Sequence, residues 1–72
     1  MDESYATYES ILRLLKEYRD NIEYNYLLDI LIVRYELTLI KYKMFKESIY
    51  TNILSEIEII IRWYITECSL NY

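Results

Sequence analysis

The sequence predicts an all-α fold, a small antiparallel three-helix bundle formed by one domain of 72 residues. Three observations carry this prediction. Apolar residues recur at steps of three and four along the chain, the period of a helix with one buried side. Gly and Pro are both absent, so the tight turns of strand-rich folds lack their usual residues. Two short polar stretches, 19–21 and 46–48, divide the chain into three segments of helical length.

The first helix is predicted over residues 4–19. Asp2 and Ser4 are both suitable N-caps, and their acidic neighbours suit the positive end of a helix dipole. The polar run 19–21 is the expected turn. The apolar stripe of this helix continues into the turn and consists of Tyr5, Tyr8, Ile11, Leu12, Leu15, Tyr18 and Ile22.

The second helix, predicted over 22–46, carries two apolar faces. One has the alternating four- and three-residue steps of a coiled-coil seam and is expected to face the core: Tyr26, Ile30, Val33, Leu37, Ile40 and Met44. The opposite face holds Leu31, Tyr35, Leu39 and Tyr42. Either the two faces meet the first and third helices, or the tyrosine-rich face is free to bind a partner. A strand over 33–39 competes, because polarity alternates there with period two. The absence of Gly, Pro, Asn and Asp between Ile30 and Asn52 leaves no tight turn, which favours the helix.

The third helix is predicted over 48–69, with Ser48 at its start. Its broad apolar face consists of Ile49, Ile53, Ile57, Ile60, Ile61, Tyr64, Ile65 and Cys68. Short turns between three helices give an antiparallel bundle. If residues 19–21 do not turn, the alternative is a long helical hairpin that must dimerise to cover its seam.

Composition argues against a metal, cofactor or small-molecule site. The chain has no His and one Cys, Cys68, whereas zinc and similar ions need clustered imidazole and thiolate ligands. Loops that cradle phosphates need Gly, which is absent. No His is available to activate Cys68, so core packing is the expected role of its side chain. We expect no cofactor, no metal and no enzymatic activity.

Charge and hydropathy indicate a soluble, intracellular chain. Its acidic opening, Met1-Asp2-Glu3, differs from the basic start of an export signal. No apolar run approaches the roughly 20 residues of a membrane-spanning helix. We therefore expect a cytoplasmic location. The net charge of −4 is opposite in sign to the usual footprint of a nucleic-acid-binding protein.

Aromatic residues point to a protein partner, a second copy of the chain, or both. Ten tyrosines supply almost all of the apolar surplus, and Tyr is favoured at interfaces for its large ring and polar tip. Trp63 lies beside Ile59 on an otherwise polar side of the third helix, a composition typical of an interface anchor. The predicted partner-binding residues are Trp63, Ile59, Tyr35, Leu39 and Tyr42. This set predicts an interaction module: an adaptor, an inhibitor or an accessory subunit.

The alternative function is a small helical DNA-binding regulator that acts as a dimer. Its candidate patch lies toward the end of the second helix and consists of Arg34, Lys41, Lys43 and Lys46. Cations at that place also complement the negative end of the helix dipole. In composition alone, with few Ala, Val and Gly beside abundant Ile and Tyr, the chain is similar to small proteins from AT-rich genomes, such as those of thermoacidophilic archaea and their viruses.

Overall fold

The computed structural model describes the backbone from Glu3 to Leu70 and the side chains of residues 5–67, and it confirms the predicted all-α bundle. Helices α1 (Glu3–Asp20), α2 (Tyr26–Phe45) and α3 (Ser48–Leu70) fill this range, and no strand occurs within it. The middle helix packs against both others, in a bundle of 41 × 19 × 19 Å. Because α1 and α3 make little direct contact, α2 organises the fold.

The turn between α1 and α2 is longer than predicted and excludes the continuous hairpin. Asn21 ends α1: its backbone N–H donates to the Tyr18 carbonyl at 3.1 Å, and its side chain donates to the Glu17 carbonyl at 2.8 Å. The second helix begins at Tyr26, four residues after the predicted start. Its start is set by Asn25, whose Oδ1 accepts a hydrogen bond from the Leu28 N–H at 3.1 Å.

The turn between α2 and α3 needs no glycine. Lys46 adopts the left-handed conformation, with φ of 54°, and its N–H donates to the Tyr42 carbonyl at 2.8 Å. This caps the end of α2 in the way that glycine usually does. Across the turn, the rings of Phe45 and Tyr50 stack with their centroids 6.1 Å apart.

The core lies along one side of α2, between α1 and α3. Tyr35, Leu28, Ile32 and Leu54 are its largest fully buried side chains. Leu54, which the sequence reasoning did not select, belongs to this centre. The remaining buried apolar residues are Leu12, Leu39, Tyr42, Ile57 and Ile61. Tyr42 meets the ring of Tyr8 edge to face, with centroids 6.1 Å apart.

The structure corrects the predicted orientation of α2. The face expected to fill the core points outward, and the opposite face, with Tyr35, Leu39 and Tyr42, is buried. Both faces have the spacing of a coiled-coil seam, so periodicity does not distinguish them. The face with the tyrosines is the buried one because α1 and α3 make little contact with each other, and a tyrosine side chain is long enough to fill the space between them.

Most tyrosines lie in the core or pack against it, so few of them can belong to the predicted interaction surface. Among the nine tyrosines that the structure describes, seven are buried or packed against the core, and Tyr24 and Tyr26 are exposed. Ile49 and Ile60, assigned to the buried side of α3 by periodicity, are also exposed. The predicted core position of Cys68 lies outside the described side chains.

Candidate interaction surface

Six apolar residues form a continuous exposed stripe along α2, which we call the outer face. They succeed one another at alternating steps of four and three residues, over five helical turns. Their exposed fractions range from 42% for Val33 to 67% for Met44. The outer face consists of Tyr26, Ile30, Val33, Leu37, Ile40 and Met44. A stripe of this length exposes on the order of 600 Å² of apolar surface, the upper end for the largest patch of a typical monomer.

A groove between α2 and α3 continues the outer face. Ile53, Ile57 and Ile60 of α3 line one wall, and the opposite wall includes residues of the outer face. The groove has a volume of about 720 Å³. Its polar lining residues are Asp29, Arg34, Thr38, Lys41 and Glu56. The shape and the apolar walls suit a helix laid beside α2.

One flank of the outer face is occupied by contacts to α1. The three contacting residues of α2 are seven positions apart: Asp29, Glu36 and Lys43. Arg19 donates to Asp29 at 3.2 Å, and Lys16 forms an ion pair with Glu36. The ammonium of Lys43 lies 5.5 Å from the ring centroid of Tyr5. These contacts hold α1 beside the stripe without covering it.

The other flank carries exposed cations. Arg34 and Lys41 are seven residues apart on the side of α2 that faces the groove. Among the described residues, neither forms an ion pair. The outer face is therefore bordered toward α1 by two ion-paired carboxylates and Lys43, and toward α3 by two cations without an ion-pair partner among the described residues.

The structure divides the predicted partner-binding residues into two groups. Tyr35, Leu39 and Tyr42 are at most 9% exposed, so their assignment to a contact surface is corrected: they are core residues. Trp63 and Ile59 are both more than 60% exposed on α3. Trp63 follows the groove residue Ile60 by three positions, so these side chains adjoin the same surface.

The predicted basic patch does not form one surface. Arg34 and Lys41 line the groove beside α3, whereas Lys43 lies over Tyr5 on the side of α1. Lys46 forms the C-cap of α2. A nucleic-acid backbone following one flank of α2 would meet two of these four cations.

A part-buried hydrogen bond joins the centres of α2 and α3. The hydroxyl of Tyr35, which is fully buried, donates to Glu58 at 3.2 Å. Burial, and then the neighbouring Glu58 carboxylate, raise the pKa of Tyr35 far above its ordinary value near 10. The hydroxyl consequently stays protonated and acts as a donor within the core.

A smaller cleft separates α1 from α3. Its volume is about 310 Å³, and it is open to solvent. The lining is mainly aliphatic, with Ile11 and Leu15 on one side, Ile61 and Ile65 on the other, and the polar residues Glu58, Arg62 and Thr66. Within the described part of the chain, no three Asp, Glu or Cys side chains converge as metal ligands would.

None of the three helices, over the residues described, has a stretch apolar and long enough to cross a membrane. Comparison with protein-family models, with curated proteins and with solved structures gave no match. By its fold, the protein belongs to the class of small all-α, three-helix bundles, and it exposes an apolar stripe on its middle helix.

Proposed function

We propose that this chain is a non-enzymatic protein–protein interaction module, an adaptor, inhibitor or accessory subunit, whose contact surface is the outer face of α2. The observation that carries the proposal is a coiled-coil spacing of large apolar side chains left exposed over five turns. A helix that is apolar on two sides is usually covered on both. The bundle covers one side of α2, so a partner helix is the natural cover for the other.

Two side chains of α3 extend the proposed contact surface beyond the outer face. Ile60 and Trp63 continue it across the groove, and Trp is the residue type most enriched at binding hot spots. Together these side chains expose on the order of 800 Å², about the area that each partner contributes to a standard interface. Binding through a surface of this kind buries apolar area and needs no chemical step.

The environment of the titratable groups also supports a non-enzymatic role. The strongly displaced pKa of Tyr35 arises in the core, where its hydroxyl already has Glu58 as a partner. The groove between α2 and α3 and the cleft between α1 and α3 are both open and lined mainly by aliphatic residues. General acid–base catalysis instead uses titratable groups held in an enclosed site with matched pKa values.

Site-specific crosslinking tests this proposal. A photoreactive amino acid replaces Val33 or Leu37, in cells that naturally make the chain, and Leu14 serves as the control because it is more exposed than either but lies on α1. We expect the same polypeptide adducts from both positions on the outer face, none from Leu14, and their loss on adding Ile40→Glu. Absence of adducts at Val33 and Leu37, or equal adducts at Leu14, would contradict the proposal.

A further inference from the structure

We propose that the occupant of the outer face is a second copy of this chain, bound so that the two α2 helices run parallel as a two-stranded coiled coil. This inference rests on the proposed function and specifies the partner. It is carried by the charges that border the outer face, which form only attractive pairs in one orientation of the two helices and a mixture of attractive and repulsive pairs in the other.

Heptad positions make the complementarity explicit. Ile30, Leu37 and Met44 take position a, and Tyr26, Val33 and Ile40 take position d. Asp29, Glu36 and Lys43 then occupy position g, and Leu27, Arg34 and Lys41 occupy position e. In a parallel pair, each g residue faces the e residue five positions later on the other helix.

Parallel pairing joins opposite charges at both of the g–e contacts that lie within α2. Asp29 of one copy faces Arg34 of the other, and Glu36 faces Lys41, so the two-fold symmetry gives four attractive pairs in the dimer. The two cations have no ion-pair partner among the described residues, so both are available. The side chains of Asp29 and Glu36 are 33% and 39% exposed, and each carboxylate can accept a second cation while it keeps its contact with α1.

Antiparallel pairing combines attractive and repulsive contacts. In that orientation g faces g and e faces e. Near the two-fold axis, Arg34 would meet Arg34 of the second copy and Glu36 would meet its own counterpart, whereas Asp29 would face Lys43 of the second copy. The two contacts between like charges offset the two between Asp29 and Lys43. Parallel pairing has four attractive contacts and no repulsive one, so the charges favour the parallel orientation, although the apolar spacing alone permits both.

The available area is consistent with a reversible dimer. Covering the outer face in both copies removes on the order of 1,200 Å² in total, the lower limit for specific, stable interfaces. The flanking helices leave room for the second copy, since α1 and α3 pack on the opposite half of α2. We therefore expect a dimer that dissociates on dilution.

Disulfide trapping tests the orientation. In a Cys68→Ser background, Tyr26→Cys and Met44→Cys place single thiols at opposite ends of the outer face, about 27 Å apart along the helix. The two variants are mixed, oxidised and analysed by mass spectrometry. Parallel pairing predicts only the two homodisulfides, because like positions approach within disulfide range. The mixed disulfide, a statistical mixture of all three products, or no dimer would overturn the proposal.

Charge reversal provides a second test with a matched control. Arg34→Glu with Lys41→Glu turns all four attractive pairs into repulsive ones, and we expect at least a tenfold rise in the dimer dissociation constant, reduced by added salt. Arg13→Glu with Arg62→Glu changes the net charge equally at exposed positions off the outer face and should leave the constant unchanged. Equal effects of the two double variants would overturn the proposal.

These tests separate the inference from the proposed function. A chain that stays monomeric but gives adducts with another polypeptide at Val33 and Leu37 would overturn self-association alone. A chain that gives neither dimer nor adduct would overturn both.

Discussion

Tyr35 and Leu37 lie two residues apart on α2, yet the ring of Tyr35 is fully buried and the side chain of Leu37 is 55% exposed. A two-residue step turns a helix by about 200°, so these residues mark its two opposite apolar faces. The bundle uses the face with Tyr35 as its core. The face with Leu37 remains available for a partner, and this division leads to the predictions that follow.

Truncation on the two faces should have very different effects on folding. Leu39→Ala removes a buried side chain, and we expect a loss of about 2–5 kcal/mol in the free energy of unfolding. Leu37→Ala, at an exposed position, should change it by about 0.5 kcal/mol or less in dilute solution. Urea unfolding monitored by circular dichroism measures both. Equal losses would show that the assignment of the core face is wrong.

The hydrogen bond between Tyr35 and Glu58 predicts an alkaline destabilisation. Below a pH of roughly 10, Tyr35 is protonated in both states. Above it, the unfolded chain loses this proton while the folded chain retains it, because the folded pKa of Tyr35 is raised. Stability should then fall by about 1.4 kcal/mol per pH unit from this residue alone.

Tyr35→Phe removes this contribution. We expect a shallower decline of the free energy of unfolding between about pH 10 and pH 11, measured by urea unfolding. Tyr24→Phe is the control, because Tyr24 is 74% exposed and should leave the slope unchanged. A slope that is the same in wild type and Tyr35→Phe would refute the explanation.

Asn25 joins the start of α2 to α3. Its Oδ1 accepts hydrogen bonds from the Leu28 N–H at 3.1 Å and from the Tyr64 hydroxyl at 2.9 Å. Asn25→Ala should lower the free energy of unfolding by about 1–2 kcal/mol, since it removes an N-cap. Asn25→Asp keeps an acceptor at the same place and should recover most of the loss. Urea midpoints of the three chains check this, and similar midpoints for Ala and Asp would contradict it.

The ion pair of Arg19 with Asp29 should contribute little to stability. Both side chains are about one-third exposed, and pairs of this kind are worth roughly 0.2–1 kcal/mol. A double-mutant cycle with Arg19→Met and Asp29→Asn measures the coupling energy directly. A coupling well above this range would show that α1 depends on charge more than on the packing of Leu12 against the core.

The sequence allowed the fold to be predicted but not the face of α2 that fills the core. Periodicity, the absence of Gly and Pro, and the polar stretches around Asn21 and Lys46 sufficed for three helices. Periodicity could not choose between two seams with the same spacing. A surplus of tyrosine is typical of an interface, whereas Tyr35 and Tyr42 fill the space between two helices that make little contact with each other.

For two of the predicted partner-binding residues, exposure could be predicted from the neighbouring sequence alone. Trp63 and Ile59 stand among polar residues of α3, so their exposure could be predicted without knowledge of the tertiary packing. The outer face of α2 could not be assigned in that way, because its exposure depends on where α1 and α3 dock. The charges of Asp29, Glu36 and Lys43 toward α1 are visible in the sequence, but their partners are not.

The most direct test of the account is the solution mass of the chain, measured by light scattering on a sizing column across a dilution series. We predict a mass twice the 8.9 kDa of one chain at high concentration, falling toward 8.9 kDa on dilution. Leu37→Glu should have the mass of a single chain throughout and keep its helical circular dichroism, whereas Leu14→Glu should behave as wild type. A wild-type mass of one chain at every concentration, or equal dissociation of both variants, would contradict the account.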